Sequence, residues 1–177
     1  MHRIIAAACC LTLCSVPALA QKKAAAAPMS DQQFVNFAAQ TDMVEANLGK
    51  EAQNVAAKQA IKDYGGMLVS DHTMDYHNLW KAADQANLTV PNAIGTKQDK
   101  MMIDPLVKLK GPVFDRDYLR KMILGHTKAI AIYKKEAKDA QNPAIKSYAE
   151  QAIPVLQKHL KDAQAIARGK TPTDMNS

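Results

Sequence analysis

The sequence predicts an all-helical protein, a single four-helix bundle with one long crossover between its second and third helices. Three observations carry that expectation. Glycine is scarce (7 of 177 residues) while alanine, lysine, leucine and glutamine dominate, a composition that favours helix. Apolar residues recur at three- and four-residue spacing along four stretches, and no stretch sustains the alternation of a strand. The connection between the second and third stretches, residues 88–113, holds prolines at 91, 105 and 112 and is long enough to run the length of a helix pair.

The chain opens with Met1-His2-Arg3, then an apolar run from Ile4 to Val16, a break at Pro17 and the small–x–small pattern Ala18-Leu19-Ala20. That is the pattern of a secretory signal peptide over residues 1–20, too short and wrongly flanked for a membrane span, with cleavage expected after Ala20. A lipoprotein signal is excluded because Leu13, before Cys14, is too large, and Cys9 and Cys10 lie too near the start. All three cysteines fall in this segment, so the mature chain has neither disulfides nor thiolate ligands, and a hydrophobic core must supply its stability. Residues 21–29 read as a flexible leader, 30–168 as the bundle domain and 169–177 as a disordered tail.

Ser30 and Gln33 form a capping box that starts the first helix, whose stripe runs Phe34, Phe37/Ala38, Thr41, Val44/Glu45, Leu48, Ala52 and Val55. A break near Ala57-Lys58 leads into the second helix, with Ile61, Tyr64, Leu68, Asp71/His72, Asp75, Leu79 and Ala82/Ala83, ending near Asn87. Within the connection a short helix over Lys97–Met102, capped by Thr96, is expected. The third helix is expected to start at Asp115, with Phe114 and Leu119 as a hydrophobic staple, and to continue through Met122, Gly125/His126, Ala129, Tyr133 and Glu136/Ala137. Asn142-Pro143 opens the fourth, an N-cap followed by the first-turn position that proline favours, with Ile145, Tyr148/Ala149, Ala152, Val155/Leu156, His159, Ala163 and Ile166. Pro154 should kink it before His159. Short turn, long crossover, short turn is the ferritin-like order, with a plain up-down-up-down bundle as the alternative.

Glu45, His72, His126 and His159 interrupt the apolar stripes, one on each helix. Counted from one end of the ferritin-like bundle, Glu45 stands about fourteen residues in, His72 and His126 about fifteen and His159 about seventeen, a spread of roughly 4–5 Å at about 1.5 Å per residue. Buried charges need partners, and two arrangements provide them. In one, the four residues hold one transition-metal ion (iron, zinc, copper or manganese), with Asp71 or Asp75 as an added carboxylate or as one that holds a ligand from outside. In the other, they form a hydrogen-bonded network that sets helix register in a non-catalytic stress or interaction module of the cell envelope. No Glu-x-x-His occurs, which argues against a ferroxidase-type di-iron centre. Methionines near this level, Met43, Met67, Met74 and Met122, are read as core filling, with soft ligands to a copper ion as the alternative, and His77 as a surface residue.

No nucleophile elbow, phosphate-cradling loop, dinucleotide fingerprint or His-Glu-x-x-His is present, so the sequence assigns no enzymatic reaction. Net charge is +6, but the lysines are scattered, which fits a solvated helix surface or a loose attraction to an anionic envelope and not nucleic acid. After cleavage, a periplasmic or secreted location is expected.

The segments Glu45-x-x-x-Gly49-Lys50, Met67-Leu68-Val69-Ser70-Asp71-His72-Thr73, Gly111-Pro112-Val113-Phe114-Asp115-Arg116-Asp117-Tyr118-Leu119, Met122-x-x-x-His126 and Ile153-Pro154-x-Leu156-x-x-His159-Leu160 are together specific. Over residues 30–167 the chain resembles an exported bacterial family catalogued as domain of unknown function 4142 and placed among ferritin-like proteins. The resemblance implies the fold and export, puts Glu45, His72, His126 and His159 at motif positions, and implies no established activity. Members labelled outer membrane proteins find no parallel here in a barrel-strand pattern. Gly65-Gly66 stands where the family more often has Ala-Gln, a departure expected to loosen the second helix.

Overall fold

In the computed structural model, which describes residues 29–93 and 103–170, four helices account for most of the chain: α1 (Asp31–Val55), α2 (Gln59–Gln85), α3 (Gly111–Asp139) and α4 (Pro143–Ala167). Among the described residues there is no strand, and no helix is long and apolar enough to cross a membrane. The capping box at Ser30 forms with both of its hydrogen bonds, and Asn142 caps α4 by accepting from the Ala144 amide. Pro154 lies within α4, which continues through it. The expected helix over Lys97–Met102 lies outside the described residues; a single turn follows at Ile103, with the Leu106 amide bonded to the Ile103 carbonyl at 2.9 Å.

The start of α3 differs from expectation. It begins four residues earlier, at Gly111, with Lys110 as N-cap and Pro112 in the first turn. Gly111 has φ 61°, a left-handed conformation that turns the chain into the helix and would strain any side chain. Asp115 is thereby free to cap a different element. Its carboxylate oxygens accept from the amides of Ala57 (2.9 Å) and Lys58 (3.1 Å), in the turn between α1 and α2. Asp31, at the start of α1, does the same for the other turn, accepting from Gln141 (2.9 Å) and Asn142 (2.7 Å).

These two caps fix the topology. The α1–α2 turn lies beside the start of α3, and the α3–α4 turn beside the start of α1, so the connection after α2 must travel the whole length of the bundle. α2 packs on α1 and α4, and α1 on α3, which leaves α2 and α3 diagonal. This is the one-crossover arrangement, not up-down-up-down. The two hairpins also correspond residue for residue, each position in the first matching one 84 further on: Asp31 with Asp115, Val55 with Asp139, Gln59 with Pro143, Tyr64 with Tyr148.

The core is in two parts. One cluster gathers Phe34, Leu79, Tyr133, Ile145 and Tyr148 towards the start of α1; the other gathers Leu48, Ile61, Tyr64, Phe114, Tyr118 and Ile166 towards its end. Between them lie the buried Asp42, Glu45, His72, His126 and His159. The buried face of α1 is rotated from the predicted stripe: Val35, Ala39 and Asp42 are buried, while Phe37, Thr41 and Val55 are only half-buried. Val155 on α4 is likewise outside the core.

Two glycines hold that rotation. A Cβ on Gly65 would stand 2.7 Å from the Gly49 carbonyl oxygen and 2.9 Å from the Ala52 Cβ, and a Cβ on Gly49 would stand 2.6 Å from the Gly65 oxygen. α1 and α2 therefore touch backbone to backbone. Gly66 makes no such approach, its nearest neighbour being the Gln53 tip at 3.6 Å, and Gly125 faces the Glu45 carboxyl, not a helix backbone. Gly65→Ala is expected to destabilise by about 2 kcal/mol through overpacking. Gly66→Ala should stabilise by roughly 0.5–1 kcal/mol through helix propensity. Urea denaturation of the two variants checks this, and equal midpoints would refute the backbone contact.

Candidate metal centre

Each histidine is placed by a different helix, and each has one ring nitrogen anchored. His126 Nδ1 donates to the Met122 carbonyl one turn earlier on α3 (2.9 Å). His159 Nε2 donates to Asp71 Oδ2 across the α2–α4 interface (2.9 Å), and His72 Nδ1 meets Asp42 Oδ1 across the α1–α2 interface (2.9 Å), donating to it in the tautomer that frees Nε2. The anchored proton leaves each ring one lone pair, on His72 Nε2, His126 Nε2 and His159 Nδ1. Donor atoms of these three residues lie within 4.8 Å of one another, and all three side chains are buried.

His126 Nε2 and His159 Nδ1 stand 3.3 Å apart. Two lone pairs at that distance repel unless a proton or a cation lies between them. Burial opposes the proton: His126 is pushed down to about 4 by burial, with His159 adding to it, and His72 well below its ordinary value by burial, then by His159 and His126. Burial lowers His159 as well, with Asp71 pulling it partly back. Among the described residues His72 Nε2 has no hydrogen-bond partner. Two nitrogens bound tetrahedrally to one ion at about 2.0–2.1 Å stand roughly 3.3–3.4 Å apart, so the closest pair already has a ligand spacing. A neutral imidazole whose outer N–H is held by a carboxylate or carbonyl is the usual form of a metal-ligating histidine. The residues present therefore fit a metal ion.

The carboxylates take different places around these nitrogens. Glu45 is buried at the same level, one oxygen facing Gly125 beside His126 and the other unpartnered, but it is not among the converging donor atoms. Burial raises it from the ordinary range to about 8. Asp71 holds His159 from outside. Asp75 faces Tyr148, whose hydroxyl donates to it at 2.8 Å and in turn lies 3.2 Å from the Tyr133 hydroxyl. Asp42, the partner of His72, was not singled out from the sequence; burial raises it well above the carboxylate range, with Asp75 and Glu45 adding to the effect. Its signal was a polar residue one position from the expected stripe. Of the four methionines near this level, Met122 is fully buried in the core and Met74 is exposed. Met43 and Met67, partly buried, pack against the two core clusters, Met67 also meeting the Lys158 amine at 3.1 Å, so Met74 alone of the four is not core filling.

Among solved structures the chain is similar to CopM in its Cu(II)-bound form, 19% identical with a TM-score of 0.66 over 79% of this chain and 97% of that one. It is equally similar to CopM in its Cu(I)-bound form, 16% identical with a TM-score of 0.65 over 79% and 96%. At these identities the likeness shows the helical-bundle fold. No curated protein matches the chain. The profile of the domain of unknown function DUF4142 matches residues 16–166, nearly the whole of the bundle and its approach, and the chain belongs to that family.

Proposed function

We propose that the protein is an exported metal-binding protein that holds one copper ion at the centre of its bundle. The reading rests on the three imidazole lone pairs of His72, His126 and His159 turned towards one point, each fixed by a hydrogen bond from its other nitrogen. Three nitrogens without a converging carboxylate suit copper or zinc better than iron or manganese. The fold shared with CopM, solved with both copper oxidation states, supports copper between those two. A bound copper ion would supply a redox couple or a store of the metal; the chain's own residues hold the rings, exclude water and provide Glu45 as a nearby compensating carboxyl. The register-setting network would have to place a proton between His126 and His159, against the burial that keeps both neutral.

The test is elemental analysis of untagged protein purified from the periplasm, followed by competitive titration with Cu(I), Cu(II) and Zn(II). One copper per chain, retained against zinc, and a mature N-terminus at Gln21 are expected. Because the histidines are already neutral at pH 7, protons released on binding should come from carboxylic acids, seen as a buffer-dependent heat. A folded protein that takes up no metal would overturn the proposal.

A further inference from the structure

A second feature lies near the start of α3. A cavity of about 660 Å³ opens at the α1–α2 turn, with mainly apolar walls that include Pro112, Leu119, Ile123, Leu124 and Ile166. That volume is within the range of roughly 300–1,000 Å³ usual for ligand sites. Lys58, Arg116 and Arg120 stand at its edge. Leu124 is 65% exposed. Asp115 also lines the cavity, but both its oxygens are committed to the Ala57 and Lys58 amides. Among the described residues Arg116 and Arg120 pair with Asp117, at 3.1 and 3.6 Å, in exposed pairs of the kind that contribute little.

The correspondence between hairpins shows what such a surface holds. Asp31, Gln32, Val35, Ala39 and Gln40 occupy in the first hairpin the positions of Asp115, Arg116, Leu119, Ile123 and Leu124 in the second. There the surface is covered by non-helical chain leaving α2. Leu88 and Val90 pack against the core cluster. The Gln32 amide brackets Thr89, donating to its carbonyl at 2.7 Å and accepting from its N–H at 3.0 Å. Gln40 donates to the Ala93 carbonyl at 3.3 Å. In the second hairpin the apolar floor remains, the two glutamines are replaced by Arg116 and Leu124, and Asn36 is replaced by Arg120. An amide clamp, which both donates and accepts, has become a pair of guanidinium groups, which only donate.

We propose that this groove binds a non-helical peptide segment of a partner protein, with two apolar side chains on the floor and an Asp or Glu held by Arg116 and Arg120. The segment following α4, Thr171-Pro-Thr-Asp-Met-Asn-Ser177, has no counterpart of Leu88 and Val90, which favours an external peptide. The site is independent of the metal reading.

Panning a random peptide library against the full chain, then measuring synthetic peptides by fluorescence anisotropy, tests it. Enriched peptides should combine apolar residues with Asp or Glu. They should bind at least about tenfold more weakly to the Arg116→Ala/Arg120→Ala double variant and to Leu124→Asp, the loss of one anchoring contact. These side chains are exposed, and circular dichroism of the variants confirms that they fold. No enrichment, or peptides indifferent to both variants, would overturn the proposal. So would binding seen only after residues 171–177 are deleted, which would make the tail the occupant, or a dimer that Leu124→Asp dissociates, which would make it a second copy.

Discussion

His72→Ala is expected to weaken copper binding by at least about a hundredfold, because it removes the central nitrogen that has no hydrogen-bond partner among the described residues. Changing only the group that orients a ligand typically lowers affinity roughly 10–100-fold, and loss of the ligand itself should exceed that. Asp42→Asn supplies the intermediate case: the ring of His72 stays but the group that holds its Nδ1 proton changes, and a reduction within that 10–100-fold range is expected. Competitive titration of the parent and the two variants gives the ordering directly. If His72→Ala bound as tightly as the parent, the ion would have to sit elsewhere. If Asp42→Asn alone abolished binding, Asp42 would be a ligand and not an orienting group.

Glu45→Gln is expected to separate metal binding from stability in opposite directions. In the folded, metal-free protein the Glu45 carboxyl is raised to about 8 from its ordinary value of 4.5, by burial alone. Between those values the native state holds a proton that the unfolded state has lost. Its contribution is therefore fully present below about pH 4.5 and lost as pH rises through 8, on the order of 5 kcal/mol in all. His126 acts at the other side: lowered from 6.5 to about 4, it stays neutral in the native state, and its contribution is lost as pH falls through that range. Metal-free parent protein should thus lose stability towards both acid and mild alkali. Glutamine cannot ionise, so the variant should keep the acid arm and lose most of the alkaline one, becoming more stable than the parent at pH 9. A bound cation would reverse the comparison by favouring the ionised carboxylate, so the variant should bind copper more weakly. Parallel urea-denaturation curves at pH 6 and 9 would mean that Glu45 ionises freely in the fold.

What the sequence disclosed and what it hid follow from the range of the forces involved. The capping box at Ser30, the Asn142-Pro143 start and the break at Ala57-Lys58 are local, and each stands where the residue pattern put it. The start of α3 was misplaced because Asp115 has all the marks of a local cap while its partners lie 57 and 58 residues away. The level of the polar layer was legible, since a histidine on an apolar stripe is conspicuous and helix rise fixes its height. Which carboxyl would meet which ring was not. That depends on the rotation of α1 about its axis, set by the contact of Gly49 with Gly65, and it turns Asp42 towards His72 while Glu45 faces Gly125.

The match between the two hairpins has an evolutionary consequence. A chain whose halves cap each other's turns with equivalent aspartates has the form of a duplicated hairpin that once paired with itself, and such a dimer would have presented every central position twice. In the present chain the copies have diverged at the centre: Asp42 stands where the other half has His126, Asp75 where it has His159, and Leu156 where it has His72. Fusion into one polypeptide released each half from mirroring the other, so an odd number of nitrogen donors, one from the first hairpin and two from the second, could meet at the centre, a set that no symmetric ancestor could have made.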